Sequence, residues 1–250
     1  MHFEKINNKG QARLFKNDLL ESLTKTRPWI IYSMYLPLCA YFLYYSNAEL
    51  GFSVSFIAAV FFGALLFWTL FEYFAHRYLF HYEPSSDWGK RIVYIFHGNH
   101  HEYPRDRMRL FMPPVPSILL AAIVFGLIYG FSFLLTGSGR YTFMFFPGFI
   151  VGYLLYVSMH YAIHAFAPPK ALKGVWRNHH LHHYKYPEKA FGVSSSFWDI
   201  VFGTLPAEEE KAGRFKGEQE QRTVTTEKSG YRPRNASNTI NTLKSGRGNS

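Results

Sequence analysis

Cysteine is almost absent from this chain: Cys39 is the single one among 250 residues. One thiol excludes an intrachain disulfide and any metal site that needs several cysteines. Acidic residues are also scarce, since 17 Asp and Glu oppose 27 Lys and Arg and the formal net charge is +10. The basic residues lie beside apolar blocks, and no stripe of basic and aromatic side chains marks a nucleic-acid surface. We therefore expect a membrane partner and no nucleic acid.

Long apolar blocks dominate the middle of the chain, and each is close to the roughly 20 residues that a helix needs to cross a bilayer. The four blocks cover residues 29–45, 50–71, 116–135 and 141–163. The first block is the weakest, because it is short and contains Pro37. This pattern predicts an all-α integral membrane protein with about four transmembrane helices.

The positive charges are distributed unevenly between the two sides of these blocks. Residues 1–28 and residues 72–115 each contain six Lys or Arg, whereas residues 46–51 contain none and residues 136–140 contain only Arg140. The positive-inside rule therefore places both termini and the middle segment in the cytoplasm. No signal-peptide pattern precedes the first block, so we expect it to insert uncleaved. The expected location is a bacterial cytoplasmic membrane, or the endoplasmic reticulum membrane in a eukaryote.

The two ends of the chain differ from the middle in composition. Residues 1–28 form a predicted cytoplasmic segment, in which Phe15, Leu19 and Leu23 recur at a spacing that suits either a short surface helix or coil. Residues 207–250 have few apolar side chains and are rich in polar ones, which predicts a disordered cytoplasmic tail. The predicted membrane domain is therefore residues 29–206.

Histidine is concentrated in four tight clusters, which contain eleven of the twelve in the chain. Within most clusters the residues are three or four apart, so on a helix each cluster can present its imidazoles to one point. His76 and His81 are five apart and need either a helix end or two different targets. The clusters are His76 and His81; His97, His100 and His101; His160 and His164; and His179, His180, His182 and His183.

All four histidine clusters are expected at the cytoplasmic face. Counting about 1.5 Å per residue along the blocks places His76 and His160 at the cytoplasmic ends of their helices, and the charge pattern places the other two clusters in cytoplasmic segments. A lone histidine usually caps a helix or makes a hydrogen bond, but this convergence indicates metal binding. Ten or so ligands exceed what one ion can take, so we infer two ions in a cytoplasmic helical cap.

Three stretches resemble the membrane-bound fatty acid hydroxylase and sterol desaturase superfamily, within residues 50–206. They are "LFEYFAHRYLFH", "FHGNHHEYPRDRMRLFMPP" and "HHLHHYKYPEKAFGVSSSFWDIVFGTLP". "RLFMPP" and "FGVSSSFWDIVFGTLP" are most similar to fatty acid 2-hydroxylases, which act on carbon 2 of sphingolipid acyl chains. The histidine boxes alone do not exclude a sterol or carotenoid oxidase or desaturase. A membrane metal transporter is the alternative outside enzymes, although it would need ligands near mid-membrane.

The resemblance implies an O2-dependent monooxygenase with a non-haem di-iron centre, in which zinc can replace iron on purification. It also implies a lipid substrate and a separate electron donor, either a b-type cytochrome or a ferredoxin with its reductase. The implied metal ligands are His76, His81, His97, His100, His101, His160, His164, His179, His182 and His183.

Four further side chains are candidates for supporting these ligands. His180 occupies a variable position of the last box and is placed outside the ligand set. Glu72 lies four residues before His76, where its carboxylate can accept the second ring hydrogen of a ligand or simply mark the membrane boundary. Asp106 and Asp199 are candidates for the same role, with Asp199 alternatively bracing a turn.

Overall fold

The computed structural model describes residues 6–207, and these residues form helices and loops without a β-strand. This agrees with the predicted all-α class. Apart from Ala207, the predicted tail lies outside the described residues. In chain order the α-helices are α1 (Asp18–Ser22), α2 (Pro28–Ala48), α3 (Val54–Phe74), α4 (Asp87–Val93), α5 (Asn99–Glu102), α6 (Pro114–Thr136), α7 (Thr142–Ala165), α8 (Lys173–Tyr184) and α9 (Phe197–Val201).

The four apolar blocks are the four long helices, as predicted. Three stretches of helix in the described residues are long and apolar enough to cross a membrane: Val54–Phe80, Pro114–Thr136 and Gly139–Ala165. The remaining block is α2, which has 21 residues and is therefore long enough, but five tyrosines lower its hydropathy. Pro37 lies within this helix, and Pro28 occupies its first turn, where a missing N–H costs nothing.

Helix α7 is the centre of the packing, and it contacts α2, α3 and α6. Its buried residues Phe146, Ile150 and Leu154 join Ile31 and Tyr35 of α2 in one apolar core. On the side facing α3, a Cβ added to Gly148 would lie 2.2 Å from the Phe61 carbonyl oxygen, and one added to Gly152 would lie 2.5 Å from the Trp68 side chain. Small residues therefore let α3 and α7 approach closely, as in many membrane helix pairs.

Two π-helical turns interrupt the regular helix geometry next to the histidines. Helix α3 continues into a π-helical turn at Ala75–Phe80, and α4 continues into another at Tyr94–Gly98. In the first turn the His81 N–H donates to the His76 carbonyl oxygen, five residues back, at 3.2 Å. Such turns are frequent at functional sites because they redirect side chains. Here the wider turn brings two histidines to the same side of the helix end.

The N-terminal segment is bound to the end of α5 and to the loop that follows it. The Asn7 N–H donates to the Glu102 carbonyl oxygen at 2.7 Å, and the Thr26 N–H donates to the Met108 carbonyl oxygen at 2.9 Å. The predicted surface helix is confined to α1, where the Asn17 side chain accepts the Leu19 and Leu20 N–H groups. Residues 6–27 therefore pack on the membrane domain along much of their length.

Candidate metal centre

The ten predicted ligands lie together as two groups of five histidines. Within each group, the nitrogen atoms that face a common point lie within 4.8 Å of one another. The rings of the two groups also touch, because the His101 and His183 rings stack with centroids 4.2 Å apart. The first group is His76, His81, His97, His101 and His182, and the second group is His100, His160, His164, His179 and His183.

The expectation that each histidine cluster serves one point is wrong for both "HxxHH" boxes. His97 and His101 belong to the first group, while His100 belongs to the second. The last box divides in the same way, with His182 in the first group and His179 and His183 in the second. Neighbouring helical residues are about 100° apart, so a helix lying between two sites gives adjacent histidines to different sites.

The placement of His76 and His81 in one group rejects the interpretation that they serve two targets. The π-helical turn is the helix end that the alternative interpretation required. It also extends α3 to bring both rings beside the rings of His97 and His182, with centroids 4.6–5.1 Å apart.

The ring nitrogens of both groups fit metal ions better than they fit one another. His97 Nε2 lies 3.1 Å from His76 Nε2 and 3.0 Å from His101 Nε2. His179 Nε2 has two such neighbours, at 2.9 and 3.1 Å. A neutral imidazole has only one N–H, so these nitrogens cannot all form hydrogen bonds with one another. Buried Nε2 atoms without a hydrogen-bond partner among the described residues occur in His81, His100, His160 and His182.

The electrostatics of the site keep the imidazoles neutral. Burial lowers the pKa of His81 to about 2. Burial, reinforced by neighbouring imidazoles, holds the pKa well below the usual range in His97, His100, His101, His179, His182 and His183. Neutral imidazole has the free lone pair that a metal needs. Iron, zinc and copper are the metals that such an all-histidine donor set suits.

Backbone carbonyls orient two rings of the first group. His76 Nδ1 donates to the Phe191 carbonyl oxygen at 2.5 Å, and His182 Nδ1 donates to the Lys189 carbonyl oxygen at 2.7 Å. These bonds leave Nε2 of each ring for a metal, which is the usual arrangement around metal-bound histidine. Glu72 does not make the predicted contact with a ligand ring, and a backbone carbonyl takes that role for His76. The Glu72 carboxylate instead accepts hydrogen bonds from Val193 and Ser194.

The two candidate aspartates also bond to groups other than histidine rings. Asp199 accepts the Phe191 and Gly192 N–H groups at 2.8 and 2.9 Å, so its alternative role in bracing a turn fits the structure. Asp106 accepts from Gln11 at 3.0 Å and from Arg109 at 2.5 Å. Its contacts therefore join the N-terminal segment to the "RLFMPP" stretch.

His180 lies outside both groups, as its predicted exclusion from the ligand set requires. Its ring is 6.3 Å from the His164 ring and 6.1 Å from the Tyr184 ring, measured between centroids. It is half-buried, whereas His179, His182 and His183 of the same helix are buried.

A largely apolar cavity of about 440 Å³ reaches both histidine groups. His97, His100 and His160 form one part of its wall, and Leu20 and Leu23 of the N-terminal segment form another. Its size lies within the usual range of small-molecule pockets. The remaining lining residues include Phe15, Phe96, Met112, Pro113, Val115, Tyr153, Tyr156 and Val157.

The sequence reasoning missed the cavity side chains of α7. Tyr153 and Tyr156 lie seven and four residues before His160, so they share its helix face. That spacing could have identified them. The contribution of Leu20 and Leu23 had no comparable signal, because it depends on long-range contacts of the N-terminal segment.

The site geometry agrees with comparisons to known proteins. The fatty acid hydroxylase family model matches residues 61–204. The dihydroceramide fatty acyl 2-hydroxylase FAH1 of Arabidopsis thaliana is 34% identical over 202 residues, which cover 80% of this chain and 83% of the relative. The fatty acid 2-hydroxylase of Mus musculus is 34% identical, with 79% of this chain and 57% of the relative covered.

A solved structure supports the same assignment. The structure titled full-length scs7p, in which only the hydroxylase domain is visible, has a TM-score of 0.71 and 35% identity to this chain. The match covers 80% of this chain and 74% of that one. This chain therefore belongs to the fatty acid hydroxylase family. It is an oxidoreductase, and the transporter alternative is wrong.

Proposed function

We propose that this chain is an O2-dependent di-iron monooxygenase that hydroxylates carbon 2 of a fatty acyl chain in a ceramide-type sphingolipid. The observation that carries the proposal is an apolar cavity that ends on two adjacent all-histidine groups. The relative from Arabidopsis thaliana is named for this reaction on dihydroceramide. Mass spectrometry of lipids from an expressing strain tests the proposal directly.

The two histidine groups would each hold one iron ion, which zinc can replace because imidazole sites discriminate poorly between these metals. Iron in such a pair supplies the activation of dioxygen, and the protein supplies binding, orientation and electrostatics. The stacking of His101 on His183 keeps the two groups side by side, so one substrate carbon can face both. Neutral ligands leave the charge of the metals uncompensated, and the buried surroundings exclude water.

The position of the cavity relative to the histidines would determine which carbon of the lipid lies next to them. Its apolar wall binds an acyl chain through the hydrophobic effect, while the histidine groups lie at the ends of α3 and α7. A site at the ends of the membrane helices meets the part of a lipid near its headgroup. Carbon 2, next to the acyl carbonyl, is therefore easier to reach than a methylene in the middle of the chain.

Cells must supply electrons to this reaction from a separate protein, and we propose a b-type cytochrome or a ferredoxin with its reductase. The catalytic unit in this proposal is the membrane domain of residues 29–206. Residues 1–28 contribute to its cavity wall through Leu20 and Leu23.

We propose four membrane crossings with both termini and the histidine-rich cap in the cytoplasm. Three helices meet the requirement for a span, and α2 is long enough to be the fourth. The histidine-bearing C-terminal ends of α3 and α7 lie at one site, which is consistent with both helices running in the same direction across the membrane. The membrane is the bacterial cytoplasmic membrane, or that of the endoplasmic reticulum in a eukaryote.

Reporter fusions test this topology. Fusions truncated after Gly10, at Ser86 and after Gly213 should all report the cytoplasm, and a fusion at Asn47 should report the opposite side. The reason is the excess of Lys and Arg on one side of the apolar blocks. A reporter at Ser86 on the far side would contradict both the topology and the cytoplasmic position of the metal groups.

Narrowing the cavity at its N-terminal wall should change the preferred chain length. Leu23→Trp adds bulk to a residue that lines the cavity, whereas Leu19→Trp adds the same bulk to a neighbour that does not line it. For the longest accepted acyl chain, kcat/KM should fall about 10-fold or more in Leu23→Trp, because a misfit of a methylene or more costs about 1–3 kcal/mol. Shorter chains should be affected less, and Leu19→Trp should match the parent protein. Equal behaviour of the two variants would place the acyl chain elsewhere.

A further inference from the structure

The loop of residues 189–194, which follows the last histidine box, contacts the first metal group selectively through its carbonyls. The Lys189 and Phe191 carbonyl oxygens accept hydrogen bonds from His182 and His76, and both rings belong to the first group. The two bonds fix which nitrogen of each ring carries the hydrogen and which one faces the group.

The Phe191 side chain adds a second set of contacts to the same group. Its ring lies edge-on to the rings of His76, His81 and His182, with centroids 5.5–5.9 Å apart. Rings in such contact restrict one another's rotation in a closely packed interior. A shift of the 189–194 loop would therefore disturb the first group by two routes, the carbonyls and the aromatic ring.

Two buried carboxylates from different helices hold this loop in place. Glu72 of α3 accepts the Val193 and Ser194 N–H groups, both at 2.8 Å, and the Ser194 hydroxyl at 2.5 Å. Asp199 of α9 accepts the Phe191 and Gly192 N–H groups and the Thr204 hydroxyl, all within 2.9 Å. Four consecutive N–H groups of the loop thus bind two carboxylates.

The backbone of the loop leaves little room for another conformation. Ala190 adopts the left-handed region with a φ of 57°, a conformation that strains a non-glycine residue and persists only where surrounding contacts impose it. A Cβ added to Gly192 would lie 2.1 Å from the Ser195 carbonyl oxygen and 2.8 Å from Asp199 Oδ2. The loop therefore depends on both carboxylates and on a glycine at position 192.

Buried carboxylates are costly unless hydrogen bonds compensate them, and these two bind mainly the backbone of one short loop. We infer that Glu72 and Asp199 are positioning residues that orient His76 and His182 through the 189–194 loop, and that they set the metal affinity of the first group and not of the second. This inference rests on the proposal that each histidine group holds a metal ion. Under this inference, the two metal ions differ in the protein contacts that orient their histidine ligands.

Metal retention by the purified full-length protein tests the inference. The parent protein, Asp199→Asn and Glu72→Gln are loaded with iron or zinc, titrated with a chelator and examined by elemental analysis. The parent should release close to two ions per chain at similar chelator concentrations. In each variant, one ion should be released at a chelator concentration about 10–100-fold lower, the usual effect of losing a group that orients a metal ligand. The other ion should be retained as in the parent.

Double variants identify which ion is lost. Asp199→Asn combined with His182→Ala should lose no more metal than His182→Ala alone, because both changes act on the first group. At the chelator concentration that removes one ion from Asp199→Asn, its combination with His183→Ala should retain neither ion, since His183 belongs to the second group. The control is Asp106→Asn, which removes a carboxylate of similar burial that bonds to Gln11 and Arg109 instead of the loop, and it should retain both ions.

A milder change covers the case in which the carboxylate variants fail to fold. Ser194→Ala removes one hydroxyl bond to Glu72 and leaves both carboxylates, so it should weaken the first ion by a smaller factor. Equal weakening of both ions, or parent-like retention in Asp199→Asn, Glu72→Gln and Ser194→Ala, would overturn the inference. A parent protein that binds no metal would instead reject the proposed function, so the two failures are distinguishable.

Discussion

His101→Ala and His182→Ala are each expected to abolish hydroxylation and to lower the metal content from close to two ions per chain toward one. Both residues belong to the first group and are at most 2% exposed, so each substitution removes a buried nitrogen that faces the common point of the group. His183→Ala should also abolish activity, but by loss of the second ion. Elemental analysis of purified protein, together with product formation in the same preparation, measures both effects.

His180→Ala is the matched control for these variants, since it removes an imidazole of α8, the helix of His182 and His183, that belongs to neither group. It should retain both ions and most of the activity. A loss equal to that of His182→Ala would mean that the ligand set is drawn incorrectly. Retention of two ions by His101→Ala would contradict the division into two groups of five.

Cells that express this chain with a compatible reductase are expected to accumulate 2-hydroxy acyl chains, principally in sphingolipids. The expectation follows from the histidine-lined end of the cavity, which we propose lies near the lipid headgroups, and from membership of the fatty acid hydroxylase family. An acyl chain deuterated at carbon 2 should lose one deuterium and gain one oxygen. With labelled dioxygen, one labelled atom should appear in the hydroxyl group and the other in water, as monooxygenase stoichiometry requires.

The same measurement distinguishes the other branches of the superfamily. A new double bond, or an oxidised sterol or carotenoid with unchanged acyl chains, would contradict 2-hydroxylation. The His101→Ala variant in the same strain should form no product, which excludes a host enzyme as its source. Loss of deuterium from a position deeper in the chain would show that the lipid lies at a different depth in the cavity.

The sequence by itself determined the class of this protein and the inventory of its site. Apolar blocks of about 20 residues are a local property, so the four long helices were predictable nearly to their ends. The clustering of histidines at the ends of two blocks was equally local, and it placed ten residues together that the structure also places together. The stretch "RLFMPP" and the stretch after the last box led to the same family that the comparisons found.

Only the tertiary structure decided how those residues divide between two groups and what holds them. A helical pattern gives the face of each histidine but not which helix lies opposite, so the splitting of both "HxxHH" boxes was not predictable. On an ideal α-helix, His76 and His81 would point in different directions. The π-helical turn brings both rings to the same group. Glu72 binds a loop more than 120 residues away, and Asp199 binds the same loop from another helix. Such contacts depend on the packing of whole helices, which no local spacing encodes.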